Sequence, residues 1–290
     1  MLKWVKIVLL ALLFLFIISI AWINSRFQVF KLRHTDEQLS RVMEDVMVPW
    51  QIKYQKQDSI SVRYLEVADS LPVVILLHGA PSRLSMFQTY FTDSLLIHKA
   101  HLIIPDRPGY GYSGFEKPAF TVKEQAKHLT FLLKKFPQNK EIIILGNSYG
   151  GPVAAALAME NPELTDGLIF VSASLTPREE KIYSISYMIN HPAFQWMFPR
   201  VIKTSNDEKL NHEESLETID DQWHKINCPV TFIHGKKDGL IYPSNVTKTR
   251  KKLTTATKVV WLENEGHGFL LSKKELIRKE IISFFYKSYH

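Results

Sequence analysis

Glu141-Ile142-Ile143-Ile144-Leu145-Gly146-Asn147-Ser148-Tyr149-Gly150-Gly151, running on into Pro152-Val153-Ala154-Ala155-Ala156-Leu157-Ala158-Met159, is the stretch on which the fold of this chain turns. Its first five residues are a short apolar run rich in β-branched side chains, the composition of a buried strand. Its last eight are an Ala-rich helix former. Between them lies Gly-x-Ser-x-Gly, which puts a serine on a tight strand-to-helix turn. Such a turn forces strained backbone angles on Ser148, and the flanking glycines let neighbouring chain pass close by. The hydroxyl then projects at a helix N-terminus, where backbone N–H groups and the helix dipole favour developing negative charge.

A serine hydroxyl is a poor nucleophile at neutral pH. It needs a base within hydrogen-bond reach, an orienting acid, and donors for the oxyanion. In strand-turn-helix sites of this kind the acid and then the histidine follow the serine in the chain. His234-Gly235-Lys236-Lys237-Asp238-Gly239 directly follows the apolar run Val230–Ile233 and places Asp238 at the carboxyl end of a strand, where ligand-facing residues collect. Asp beside Gly is also ordinary turn chemistry. The competing acid position, after Leu168–Val171, reads Ser172-Ala173-Ser174 and holds no carboxylate. Glu265-Gly266-His267-Gly268 follows the next strand, and among the 11 histidines His267 alone combines a late position with glycine flanks. The oxyanion donors expected are the N–H of Tyr149, after the nucleophile, and that of Ala80 in His78-Gly79-Ala80-Pro81, since Pro81 has none. His78 is then structural.

The chain has 290 residues, 46% of them hydrophobic, enough for one large α/β domain. Its single cysteine, Cys228, excludes an intramolecular disulfide and a cysteine-rich metal site. The net charge of +7 is mostly N-terminal: residues 1–34 carry Lys3, Lys6, Arg26, Lys31 and Arg33 and no acid, which leaves 31 basic against 29 acidic residues elsewhere. No basic cluster is interleaved with aromatics, so nucleic acid is not an expected partner. The excess charge flanks an apolar run from Val5 to Ile23, whose only polar residues are Lys6 and Ser19, with Trp4 and Trp22 at its ends. Length and tryptophan belt suit a single membrane-spanning anchor over residues 1–24. A cleaved signal peptide, with small residues at Ser19-Ile20-Ala21, is the second reading, and a buried soluble helix the third. Flanking charges are nearly tied, and the very short N-tail points the body away from the cytoplasm. Residues 25–48 are a charged, helix-like juxtamembrane connection.

From residue 49 to 290 the pattern is that of a globular domain. Trp50–Gln55 and Ile60–Val67 alternate like paired strands, and Val73–Leu77 reads as a buried parallel one. Strands at His101–Pro105, Glu141–Leu145, Leu168–Val171, Val230–His234 and Lys258–Leu262 then alternate with helices at Thr121–Phe136, Tyr149–Glu160, about Pro243 to Leu253, and Ser272–Lys287. That alternation predicts an α/β fold with a mostly parallel sheet covered on both faces. Residues 175–222 interrupt it and carry many large apolar side chains, including Tyr183, Tyr187, Phe194 and Trp196. They predict a lid whose inner face lines an apolar pocket, against the alternative of a helical insertion buried on the sheet.

With these pieces in order, the chain resembles the α/β-hydrolase family. The matching segments are His78-Gly79-Ala80-Pro81, Asp106-Arg107-Pro108-Gly109-Tyr110-Gly111-Tyr112-Ser113, Gly146 to Gly151, Asp238 and Glu265-Gly266-His267, over about residues 50–288. The resemblance implies an eight-stranded sheet with the lid after its sixth strand, and a structural role for the Asp106–Ser113 loop. In the family's epoxide hydrolases and haloalkane dehalogenases the nucleophile is aspartate, so Ser148 disfavours those activities. A serine implies acyl transfer: Ser148 attacks, His267 shuttles the proton, Asp238 orients the imidazole, and no metal or organic cofactor is required. The aromatic lid and the anchor favour a lipophilic carboxylic ester as the small-molecule substrate. The resemblance also covers carbon–carbon bond hydrolases, whose elbow often has an asparagine where Asn147 stands, and aminopeptidases, for which Glu208, Glu213, Glu214 or Glu217 could hold a substrate amine. A non-catalytic binding module on the same scaffold is the remaining alternative. Oligomeric state is not legible.

Overall fold

A computed structural model of the chain describes residues 2–29, 33–69, 71–114 and 121–286. Eight strands form one sheet: β1 (Trp50–Gln57), β2 (Ile60–Val67), β3 (Val73–Leu77), β4 (His101–Pro105), β5 (Ile142–Asn147), β6 (Gly167–Val171), β7 (Val230–Gly235) and β8 (Thr257–Leu262). Their order across the sheet is β1-β2-β4-β3-β5-β6-β7-β8. The first two pairings in that order, β1 with β2 and β2 with β4, are antiparallel, and the rest are parallel. The sheet is thus the α/β architecture expected, with β5 bearing the Gly-x-Ser-x-Gly turn at its carboxyl end.

The continuous apolar runs follow from burial on both sides of the sheet. On β3 the side chains of Val73, Ile75 and Leu77 join one core and those of Val74 and Leu76 the other; on β5 Ile142 and Ile144 face the first, Ile143 and Leu145 the second. The first core is covered by the helices Val122–Leu129 and Gly150–Glu160, the second by Asp36–Met43 and Lys274–Tyr286. Thr35 and Thr121 each start a helix with a reciprocal capping box, to Gln38 and Glu124.

Two helices differ from expectation. The stretch Thr121–Phe136 is two helices, Val122–Leu129 and Phe131–Lys134. At the break the Thr130 N–H bonds back only three residues, to Lys127 O at 3.4 Å, while its hydroxyl donates to Ala126 O at 3.1 Å. The last helix covers Lys274–Tyr286, and Lys287 lies outside the described residues. Residues 30–32 of the juxtamembrane connection also lie outside them. The N-terminal helix, Leu2–Val29, runs past the end of the expected anchor, and its window Lys3–Trp22 has a mean hydropathy of 2.7 with 6% of it buried, long and apolar enough to cross a membrane.

The insertion after β6 holds the helices Ile185–Asn190, Arg200–Leu210 and His212–Glu217. One buried ion pair fastens it to the sheet. Arg107, just beyond β4, forks onto Glu208 of Arg200–Leu210 with Nη1–Oε1 3.0 Å and Nη2–Oε2 3.2 Å, both side chains fully buried. The same guanidinium donates to His78 O at 2.6 Å, to Gly79 O at 3.2 Å and to Gln125, and lies over the rings of Tyr110 and Tyr149. Tyr110 and Gln125 also donate to Glu208, so both carboxylate oxygens are saturated. A buried ion pair in water-free surroundings holds only when its remaining hydrogen bonds are satisfied, and this one meets that condition.

The elbow depends on one missing atom. A Cβ on Gly150 would stand 2.2 Å from Leu77 O, a backbone carbonyl of β3 with no freedom to move. Gly150→Ala is expected to lower the thermal midpoint of the full chain in detergent sharply, whereas Gly239→Ala, with nothing within 4 Å of the added Cβ, leaves it nearly unchanged. Glu208→Gln strands the Arg107 charge in the core; denaturant titration followed by tryptophan fluorescence is expected to show a loss of about 3–5 kcal/mol.

Candidate active site

Ser148 sits between β5 and the helix Gly150–Glu160 at φ +50°, a left-handed conformation costly for a residue with a side chain. Backbone bonds on both sides hold it there: its N–H donates to Val171 O at 3.0 Å, and its carbonyl accepts from Gly151 N at 2.9 Å and Ser174 N at 3.3 Å. The Oγ meets His267 Nε2 at 3.1 Å, across 119 residues of sequence. His267 Nδ1 lies 2.9 Å from Asp238 Oδ2. A carboxylate only accepts, so the proton is assigned to Nδ1, which leaves Nε2 to accept the Ser148 hydroxyl.

Asp238 is immobilised from its other oxygen. Oδ1 accepts from Leu240 N at 3.0 Å and Ile241 N at 2.9 Å, and the side chain is fully buried. Burial alone would raise its carboxyl; the hydrogen bond and charge of His267 and the two backbone donors more than offset that, and the net pKa lies below the ordinary aspartate value. Beneath it the buried His234, held neutral by desolvation, donates from Nε2 to Ile241 O at 3.1 Å and stands 3.6 Å from Asp238 Oδ2. Its role in shaping the turn that presents Asp238 had no signal in the sequence beyond its place at the end of β7. Gly235 lets the two loops meet: a Cβ there would stand 2.3 Å from Glu265 O, just ahead of His267.

Ala80 and Tyr149 line the same cavity as Ser148, and for neither of their N–H groups is a backbone acceptor found among the described residues. His78 is buried and neutral, desolvation being the main cause. Its Nδ1 donates to Gly79 O at 2.7 Å and its Nε2 accepts from Arg107 N at 3.0 Å, a structural arrangement that shapes the loop bearing Ala80. In the Asp106–Ser113 loop the buried Asp106 accepts from the N–H groups of Leu84 and Tyr112, at 2.8 and 3.1 Å, and faces no cavity at Ser148.

A cavity of about 190 Å³ opens at Ser148, lined by Ala80, Tyr149, Leu240 and Ile241 together with Ser174, Glu180, Tyr183 and Lys209. Its wall differs from the apolar lining expected of the lid. Glu180 and Lys209 pair at 3.3 Å, Ser174 Oγ donates to Glu180 Oε2 at 3.4 Å, and the buried His212 contacts Ser174 Oγ at 2.8 Å while its ring lies against Tyr149. Of the lid's large apolar residues, Tyr183 reaches the cavity and Ile189 is buried, but Ile185, Tyr187, Met188, Phe194 and Trp196 are exposed. The acids singled out on the lid are elsewhere: Glu208 is consumed by Arg107, Glu213 and Glu217 pair with the exposed Arg178, and Glu214 is exposed. Glu180 comes to the cavity through an isolated bridge to Ile241, a long-range pairing with no local sequence signal. Among the described residues no group of three or more His, Cys, Asp or Glu side chains is placed to hold a metal ion.

The family model described as alpha/beta hydrolase fold matches residues 72–201, from the start of β3 through the elbow into the lid. The chain is 32% identical over 119 residues to an uncharacterized hydrolase of Saccharomyces cerevisiae, a match covering 40% of each protein. It is 37% identical over 102 residues to the pimeloyl-[acyl-carrier protein] methyl ester esterase of Proteus mirabilis, covering 35% of this chain and 36% of that one. The matches thus span well under half the length of these curated relatives. Over nearly its whole length the chain is similar to the crystal structure of a membrane phospholipase A, a bacterial virulence factor: TM-score 0.68 at 20% identity, covering 97% of this chain and 98% of the other. The strand order, the Gly-x-Ser-x-Gly turn after β5 and these similarities agree: the chain has the α/β-hydrolase fold.

Proposed function

We propose that the chain is a membrane-anchored serine hydrolase that cleaves a carboxylic ester through an acyl-enzyme. The observation that carries this reading is the unbroken path from Ser148 Oγ to His267 Nε2 at 3.1 Å, and from His267 Nδ1 to Asp238 at 2.9 Å. Ser148 attacks the ester carbonyl as His267 Nε2 takes its proton. The developing oxyanion sits against the N–H groups of Ala80 and Tyr149, beside the N-terminus of Gly150–Glu160. His267 returns the proton to the leaving alcohol, and a water molecule repeats the sequence to release the acid. Asp238 stays ionised, holds the Nδ1–H tautomer and stabilises the imidazolium that forms. The residues need no metal or organic cofactor for this.

The cavity limits which part of the substrate is buried. At about 190 Å³ it is smaller than the pockets of about 300–1,000 Å³ that enclose drug-sized ligands, and the Glu180–Lys209 pair crosses its wall. It suits a short acyl or alcohol group with hydrogen-bonding capacity; the apolar remainder of a lipophilic ester lies outside, along the lid. The N-terminal helix, of spanning length, supports the anchor.

A fluorophosphonate probe is expected to label the folded full chain at Ser148 and to leave Ser148→Ala unlabelled; a folded wild type that does not label overturns the reading. Asp238→Asn is expected to keep the fold and lower kcat by about 10⁴; unchanged turnover reassigns the acid. In a panel of p-nitrophenyl esters of rising chain length and aminoacyl anilides, ester cleavage is expected, and cleavage of anilides alone points instead to an aminopeptidase.

A further inference from the structure

The lid turns its apolar side outward. In the helix Ile185–Asn190 the buried residues are Ser186 and Ile189, and Asn206 of the helix Arg200–Leu210 donates to Ser186 O at 3.0 Å, pinning that side down. The opposite side presents Ile185, Tyr187 and Met188 to solvent, and Phe194 and Trp196 continue the surface, Tyr187 at 65% and Trp196 at 59% exposure. Outside the N-terminal helix, twelve large apolar side chains are exposed among the described residues, and seven of them fall within residues 182–196. Scattered exposed apolar residues are normal, but a contiguous patch of this kind marks a contact surface.

Three observations identify what it contacts. The patch is rich in Tyr and Trp, side chains with an apolar body and a polar tip that settle where hydrocarbon meets water. Lys181 lies over the Tyr183 ring at 4.9 Å, where a lysine stem follows the apolar surface and its ammonium reaches headgroups. The third is position. Four residues beyond the spanning-length helix the chain is held at the carboxyl edge of the sheet: Arg33 lies over the Tyr112 ring at 5.2 Å, and His34 is contacted by Arg63 at 2.8 Å and Arg83 at 3.3 Å. The lid is fastened to the same loop, through Arg107 and Tyr110. The anchor's exit, the lid and the mouth of the cavity therefore share one edge of the molecule.

We propose that the outward face of the lid, residues 182–196, rests in the interfacial layer of the bilayer that the N-terminal helix crosses, so that the cavity at Ser148 opens toward the membrane surface. The proposal rests on the reading of that helix as a span. Tyr183 joins the two parts: it is 47% exposed in the patch and also lines the cavity, giving an ester lodged in the adjacent leaflet a short apolar path to the nucleophile.

The test uses the full chain reconstituted in vesicles of phosphatidylcholine and phosphatidylglycerol. Tyr187→Cys carries an environment-sensitive nitrobenzoxadiazole; Cys228, buried with its thiol pushed up to about 12 by burial, stays unlabelled. Gln138→Cys, exposed in the turn before β5 at the other edge of the sheet, is the reference. The probe at 187 is expected to shift to the blue, to be quenched by brominated acyl chains and to be shielded from aqueous iodide, and the probe at 138 is expected to do none of these. Equal iodide quenching at both positions, in protein that resists alkaline extraction, overturns the proposal while leaving the anchor intact. Protein released by alkali overturns both. Shielding at 187 that persists in dilute detergent at a dimer mass overturns it in favour of a second copy of the chain. The triple variant Tyr187→Ser, Phe194→Ser, Trp196→Ser separates docking from chemistry. Its fluorophosphonate labelling and its turnover of soluble p-nitrophenyl butyrate are expected to match wild type, with hydrolysis of vesicle-borne esters down about tenfold. Unchanged vesicle hydrolysis overturns the docking, whereas lost labelling in the wild type as well would indict the serine-hydrolase reading instead.

Discussion

The contact between the helix Gly150–Glu160 and the end of β3 is the constraint on which the rest of this structure depends. With only a hydrogen at Gly150, the helix start can lie against the Leu77 carbonyl, and the chain can leave β5 in a single sharp step through Ser148. That step places three things at one point: a side chain in a left-handed conformation, the loop after β3 with its Ala80 N–H, and the first N–H groups of a helix. A wider turn would move the hydroxyl away from both donors and from the loops that bring His267 and Asp238.

Around that point the protein holds its geometry with buried polar groups rather than with apolar packing alone. Arg107 is the centre of this arrangement. It touches the backbone of His78 and Gly79, covers the Tyr149 ring and is neutralised by Glu208 from the lid. The loop, the elbow and the lid are thereby coupled through one guanidinium, whose planar fork matches the carboxylate in a way an ammonium would not. On the far side His234 and two backbone N–H groups do the equivalent for Asp238. A loose acid would leave the imidazole free to turn, and the path from serine to carboxylate would break.

The lid divides its chemistry between two sides. Inward it presents Glu180 and Lys209, so the small space beside Ser148, otherwise walled by apolar side chains such as Leu240 and Ile241, carries one ion pair. Outward it presents aromatic and aliphatic side chains next to the place where a spanning-length helix joins the body.

The eight strands, most of the helices that cover them and the order Ser148, Asp238, His267 were legible in the sequence, because runs buried on both faces and turns flanked by glycine leave strong local patterns; the helix Asp36–Met43, expected in the juxtamembrane connection, instead packs Leu39 and Met43 into the second core. The break at Thr130 was not, since it turns on a single hydroxyl bonding back to its own helix. Nor were Glu180 and Lys209 as cavity residues, nor His234 as the support of Asp238, because each acts through a partner far away in the chain. The outward direction of most of the lid's aromatic side chains was not legible for a related reason: composition records that tyrosines and tryptophans are present, and only the packing of Ser186 and Ile189 decides which way they point. Local sequence thus determined the elbow and the identities of its candidate partners, since strand, turn and helix preferences act over a few residues. The tertiary structure alone decided that those partners meet within hydrogen-bond distance, what shares their cavity, and what the lid turns toward the outside, since these depend on contacts between residues that the chain holds far apart.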